Sequence, residues 1–200
     1  KYVGLDKFKP EADLDEAQRH AKFLEKIGST IFSCLFLCLF WYYQEYVETG
    51  EICWANKESD LPVVAGSEGG VDVSHKFQVL LEIYSWSTIF DATREFLGAL
   101  YYKCEIGILI WPICILQLNV LIQIWSMFMN HFFRLAHTGK VCSGDFLTKE
   151  QRHSGEFDDD YLIQRGNFLW VMLVLYWVII GLAVLAFCGF ICMICFASKQ

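Results

Sequence analysis

Little in this chain could hold nucleic acid: acidic residues outnumber basic ones by 23 to 16, the formal charge is −7, and no run of Lys and Arg meets the spacing of phosphates. A phosphate-cradling glycine loop, a nucleophile motif and an N-x-S/T sequon are also missing, which removes the usual marks of nucleotide-using enzymes, hydrolases and N-glycosylated loops. Proline is scarce, with 3 in all, and only Pro112 interrupts a long apolar run. No repeat of fixed period is present. These absences lead to the expectation of a protein that is not an enzyme, carries no cofactor and does not contact nucleic acid.

What is present is apolar. Hydrophobic residues make up 55% of the chain, against about 45–50% with glycine in soluble domains, so the membrane class comes first. Three stretches run without a charge over 27–44, 106–133 and 166–198. Each reaches the roughly 18 residues that a spanning helix needs. A fourth stretch, 77–100, is interrupted by Glu82, Asp91, Arg94 and Glu95. The last three fall towards its far end, where long side chains reach the headgroups, so it too is read as a span rather than an amphipathic surface segment.

The expected fold is an all-α membrane protein: a four-transmembrane-helix, tetraspan-like bundle with spans at about 27–44, 77–100, 106–133 and 166–195. Residues 1–26 form a cytosolic juxtamembrane helix, amphipathic through Leu14, Ala17, Ala21 and Leu24 and started by an Asp13/Glu16 capping box. The membrane domain covers 27–198, its loops 45–76 and 134–165 lie together on the extracytoplasmic side, and a short tail, 199–200, is cytosolic. The run from Ile27 follows a long charged segment and lacks a small-residue cleavage pattern, so it is expected to stay as the first span. Lys and Arg lean weakly towards the side of the termini, which places both in the cytosol, in a plasma membrane or endomembrane. The architecture resembles the broad tetraspan class. It lacks the Trp and paired first-loop cysteines of claudins, since "ICWANK" offers only Cys53 and Trp54, and the C-C-G of tetraspanins, since "KVCSGD" has none.

Cysteines sort by location. Cys34, Cys38, Cys114 and Cys188 fall in spans, where the side chain packs as a small hydrophobe. Cys53 and Cys142 are each the single cysteine of their loop, and the four-span topology puts both loops in one oxidising compartment, so they are expected to form a disulfide. A three-span topology would forbid it. Cys192 and Cys195 form a C-x-x-C at the end of the last span; palmitoylation suits that reducing helix end better than the chemistry of membrane thiol oxidoreductases. Metal and haem sites find little support. No second ligand pair completes a zinc site, His131 is the only histidine inside a span, and "EFDDDY" lacks the alternation of a calcium loop.

One pattern asks for a role. Asn119, Gln123, Ser126 and Asn130 recur in the third span at steps of four, three and four, which aligns them on one helical face. Glu82 falls at a similar depth and is expected to hydrogen-bond at least one of them. Such an intramembrane polar network glues helices together or lines an ion or proton path. The first reading makes the chain a structural or accessory subunit whose partners are the lipid bilayer and other membrane-protein subunits or further copies of itself. The alternatives are a small channel or proton-coupled transporter built on Glu82, and a thiol oxidoreductase.

Overall fold

The computed structural model describes residues 15–154 and 160–197. The structure is 76% helical, and among the described residues three helices are long and apolar enough to cross a membrane: Glu16–Glu45, Gly107–Leu135 and Ile163–Ile191. A protein built on such helices belongs in a membrane, because their faces offer lipid no polar backbone.

Helix α1 (Glu16–Glu45) joins the charged N-terminal segment to the first apolar run without a break. Its start shows a capping box in a different register from the expected one. Asp15 Oδ1 accepts from the Gln18 amide at 2.7 Å, and Gln18 Oε1 accepts from the Asp15 amide at 3.2 Å. Asp13 lies outside the described residues. Helix α2 (Val73–Cys104) is 32 residues long, starts four residues earlier than expected and carries the four charges noted above.

The third apolar run is not one uniform helix. A 3-10 turn (Gly107–Leu109) leads into α3 (Ile110–Leu116), and α4 (Asn119–Leu135) follows after a tightened step. There the amides of Leu118, Val120 and Leu121 bond to the carbonyls three residues back, at 3.0–3.2 Å. Such i→i+3 bonding shortens the turn and resets the phase of the side chains that follow. Short helices α5 (His137–Cys142) and α6 (Lys149–Ser154) precede α7 (Ile163–Ala197). In the first loop, strands β1 (Trp54–Ala55) and β2 (Val71–Asp72) pair antiparallel, with Trp54 opposite Asp72.

The chain forms two compact units: the described residues of Lys1–Leu39 and Ser85–Ile122, and those of Phe40–Tyr84 and Gln123–Gln200. The second holds nearly all of the apolar core. Phe40, Phe77, Leu80, Leu81, Tyr84, Leu162, Leu169 and Leu173 are all buried there. Phe40 stacks on Tyr84 with centroids 5.3 Å apart and meets Phe168 edge-on. In the first unit the buried side chains are mainly polar: Ser87, Glu95 and Asn119. That unit therefore relies on polar pairs where the other relies on packing.

Close backbone approach fixes two glycines. A Cβ on Gly166 would lie 2.1 Å from Ser143 Oγ, and one on Gly139 would lie 1.9 Å from the Phe133 carbonyl oxygen. Any larger residue there separates α7 from α5, or α5 from the end of α4.

Candidate functional site

The polar stripe divides between the two units, and each part finds hydrogen bonds of its own. In the first, Asn119 and Ser87 of α2 bond twice: Ser87 Oγ donates to Asn119 Oδ1 at 3.1 Å, and Asn119 Nδ2 donates to the Ser87 carbonyl at 2.8 Å. Asn119 is buried at 4% exposure, so this pair satisfies groups that have no water to turn to.

In the second unit Asn130 and Ser126 are fully buried. Asn130 Nδ2 donates to the Leu169 carbonyl on α7 at 3.0 Å, while the Tyr84 hydroxyl of α2 donates to the Ser126 carbonyl at 3.4 Å. The Ser126 hydroxyl turns back to the Gln123 carbonyl on its own helix, and Gln123 is half-buried. Three of the four stripe residues thus face other helices through a side chain or backbone group, as interhelical glue requires.

Glu82 departs from expectation. Its carboxylate accepts from Gln78 Nε2, at 3.4 Å and one turn earlier on α2, rather than from the stripe. The physical reason is local: residues four apart on a helix are already neighbours, and Glu82 is only half-buried. The residue of α2 that reaches Ser126 is Tyr84, which matching by depth alone does not single out.

A second polar cluster lies in the first unit. Lys26 Nζ meets Glu95 Oε2 at 2.8 Å, and Arg94 meets the other oxygen of Glu95 through Nη2 at 2.7 Å and Nε at 3.0 Å. Arg94 Nη1 also reaches Gln117 Oε1 at 3.3 Å and Asp91 at 3.4 Å. Glu95 is 7% exposed, so it stands as a buried carboxylate held between two cations. Nearby Arg19 pairs with Glu105, and Lys103 lies over the Phe23 ring at 5.7 Å.

The loops of the second unit meet through covalent and ionic ties. Cys53 and Cys142 are joined in a disulfide with Cα atoms 5.8 Å apart, bridging 89 residues of sequence. Both cysteines are fully buried, and the β1–β2 pair sits beside Cys53, whose carbonyl accepts from the Val73 amide at 3.0 Å. Arg134, at the end of α4, is 3% exposed. It forks onto Asp145 with two 2.8 Å bonds, donates through Nε to the Gly166 carbonyl at 2.7 Å, and lies over the Trp170 ring.

Glu48 and Arg165 form a reciprocal tie. The Glu48 carboxylate accepts from the Gln164 and Arg165 amides at the start of α7, and the Arg165 guanidinium donates to the Tyr43 and Gln44 carbonyls in the last turn of α1. Each side chain satisfies the orphan backbone groups of the other's helix end. Tyr161, just before α7, is 2% exposed, and burial first, then the Asp160 carboxylate, pushes its phenol up from the ordinary tyrosine range.

The free cysteines of the spans, Cys34, Cys38, Cys114 and Cys188, are exposed on helix surfaces rather than packed inside. The side chains of Cys192 and Cys195 lie outside the described residues. His131 lies 6.3 Å from the Trp177 ring, and among the described residues no three His, Cys, Asp or Glu side chains gather as a metal site. The Lys26–Glu95–Arg94, Arg134–Asp145 and Glu48–Arg165 ties were not singled out from sequence. Their signal there was only a charge at the edge of an apolar run.

Comparison of the chain with known protein families, with characterised proteins and with solved structures gives no match.

Proposed function

We propose that the chain is a non-enzymatic, four-span integral membrane protein that serves as a structural or accessory subunit of a larger membrane assembly. The spans are α1, α2, the α3–α4 segment and α7, with both termini cytosolic and the disulfide-linked loops extracytoplasmic. One observation carries the reading. The last buried residue of α7 is Leu173, its ring contacts within its own unit end with Tyr176 on Tyr84 and Trp177 beside His131, and every described residue from Val178 to Ile191 is exposed.

That stretch is apolar over its whole circumference, with Leu182, Leu185 and Phe187 at 62, 69 and 64% exposure. Nothing lies within 4 Å of where side chains would start on Gly181 and Gly189. Lipid satisfies such a surface but gives it no shape-specific packing; a neighbouring protein helix gives both. The stripe supports the same reading, since Asn119 spends both ends of its amide, and Asn130 its Nδ2, on adjacent helices.

A photo-crosslinking residue placed at Val178 or Leu182, activated in native membranes, tests this. A discrete protein adduct is expected. Lipid adducts alone, together with a cation or proton flux that Glu82→Gln abolishes in vesicles, would replace the accessory reading with the transport reading.

A further inference from the structure

The first unit contains a cavity of about 480 Å³ beside the Glu95 cluster, within the range of ligand-holding pockets. One wall is charged and carries Lys26, Arg94 and Glu95; the facing wall, from α3, is apolar and includes Ile110 and Ile113. Two cations and one anion leave an excess of one positive charge on this lining. Asp91, the remaining anion of the cluster, pairs with Arg94 at 3.4 Å and lines an adjoining hollow that shares Arg94 and Glu95 with this cavity. With Asp91 counted the cluster balances, so the cavity offers an anion the Lys26 ammonium on one side and an apolar wall on the other, which matches an amphiphile with an anionic head.

Donor accounting sharpens the match. Arg94 spends its donors on Glu95, Gln117 and Asp91, whereas the Lys26 ammonium has three N–H groups and gives one to Glu95. The Lys26 side chain stays 29% exposed. Its stem lies across Gly98, with Cδ 3.4 Å from where a Cβ would sit, so the missing side chain at 98 leaves the stem a seat against α2.

Position along the helices agrees. Lys26 immediately precedes the apolar run of α1, and Ile110 and Ile113 lie near the beginning of the third run. Tyr101 and Tyr102 line the same cavity, and tyrosines collect at the headgroup level of a bilayer. Basic pockets between helices at that level hold the phosphates of anionic lipids.

We propose that this cavity binds one anionic phospholipid, its phosphate on the free donors of Lys26 and its acyl chain along Ile110 and Ile113. The inference rests on reading α1, α2 and α3 as membrane-embedded. Arg94 and Glu95 act as the positioning pair: they hold Lys26 at the rim without taking all of its donors.

The test uses the full chain purified in a neutral detergent, with saturation binding of short-chain phosphatidylglycerol, short-chain phosphatidylcholine and inorganic phosphate followed by native mass spectrometry. Phosphatidylglycerol is expected to bind one per chain and at least about tenfold more tightly than phosphatidylcholine, the ratio that one retained ionic contact of about 1.4 kcal/mol gives. Inorganic phosphate should bind more weakly than either lipid. Lys26→Met should abolish the preference between the two lipids and Lys26→Arg should keep it. Ile113→Trp, which fills the apolar wall and leaves every charge, should weaken both lipids. Equal binding of the two lipids, an unchanged preference in folded Lys26→Met, or phosphate binding as tightly as phosphatidylglycerol would each overturn the proposal. Alkaline carbonate extraction of the chain from its native membrane is run in parallel. Release of the chain would overturn the membrane reading itself, and retention with no lipid preference would overturn the cavity assignment alone.

Discussion

Replacing Glu48 by Ala should unfasten the start of α7 from the end of α1. The carboxylate accepts from the Gln164 amide at 2.5 Å and the Arg165 amide at 3.0 Å, two donors that the first turn of a helix cannot satisfy internally. A hydrogen bond to a charged group is worth about 1.5–3 kcal/mol net, and Glu48 is only half-buried, so each bond belongs at the low end of that range. The negative charge at a helix N-terminus adds a few tenths more. The expected loss is therefore about 3 kcal/mol for Glu48→Ala and roughly half of that for Glu48→Gln, which keeps one acceptor oxygen but no charge. Alanine is the right comparison because Glu48 has φ +51°, a left-handed conformation that strains Ala and Glu alike, whereas glycine would relieve the strain and mask the lost bonds. Arg165→Ala removes the guanidinium bonds to Tyr43 and Gln44 but leaves its amide for Glu48. The two substitutions fasten the same seam, so the double variant should lose less than the sum, with a coupling of about 0.5–3 kcal/mol. Unfolding by dodecyl sulfate in mixed micelles, followed by tryptophan fluorescence, measures all three. A Glu48→Ala change below about 0.5 kcal/mol, with the unfolding slope unaltered, would refute the capping argument.

Four further outcomes follow from the geometry. Cys53→Ser with Cys142→Ser should cost about 2–4 kcal/mol, and non-reducing digestion should release the two loop peptides joined; alkylation of both thiols without reductant would contradict the pairing. Gly166→Ala should cost about 1–3 kcal/mol in the same micelle titration because its Cβ meets Ser143, and Ser143→Gly should return most of it; no rescue would mean that the close approach lies elsewhere. Asn119→Leu, which strands Ser87, should destabilise more than Gln123→Leu, although interhelical hydrogen bonds average only about 0.6 kcal/mol, so Gln123→Leu should leave the fold intact and reduce assembly modestly; the reverse order would point to a different role for Gln123. Glu82→Gln should be within about 0.5 kcal/mol of the parent, since among the described residues its carboxylate bonds only to Gln78 of the same helix and an amide oxygen serves as well; a larger loss would show a partner that this geometry lacks.

How much of this was legible in the sequence depended on the range of the physics involved. Membrane helices announce themselves through composition, because lipid acts on every residue of a span, and the three apolar runs emerged as α1, the α3–α4 segment and α7. The Cys53–Cys142 pairing was readable for a related reason: topology alone left each cysteine one available mate. Capping was legible as a type of device but not in its register, since Asp13, Asp15, Glu16 and Gln18 all lie within six residues and several of them can serve. Contacts between helices were the least legible. Period and depth brought the stripe and Glu82 to similar levels, but rotation about the helix axis decides which side chain points across, and two residues along α2 exchange Glu82 for Tyr84. Rotation is set by the packing of Phe40, Tyr84 and Phe168, whose ring contacts join residues 44 and 128 positions apart and so leave no local trace. Along α4 the even polar period becomes one reciprocal pair with Ser87 at Asn119 and a separate contact with the backbone of α7 at Asn130, because each residue bonds to whatever group lies beside it at its own height. The stripe's chemistry was therefore readable as a need for partners, while the partners themselves were fixed by the apolar residues around it.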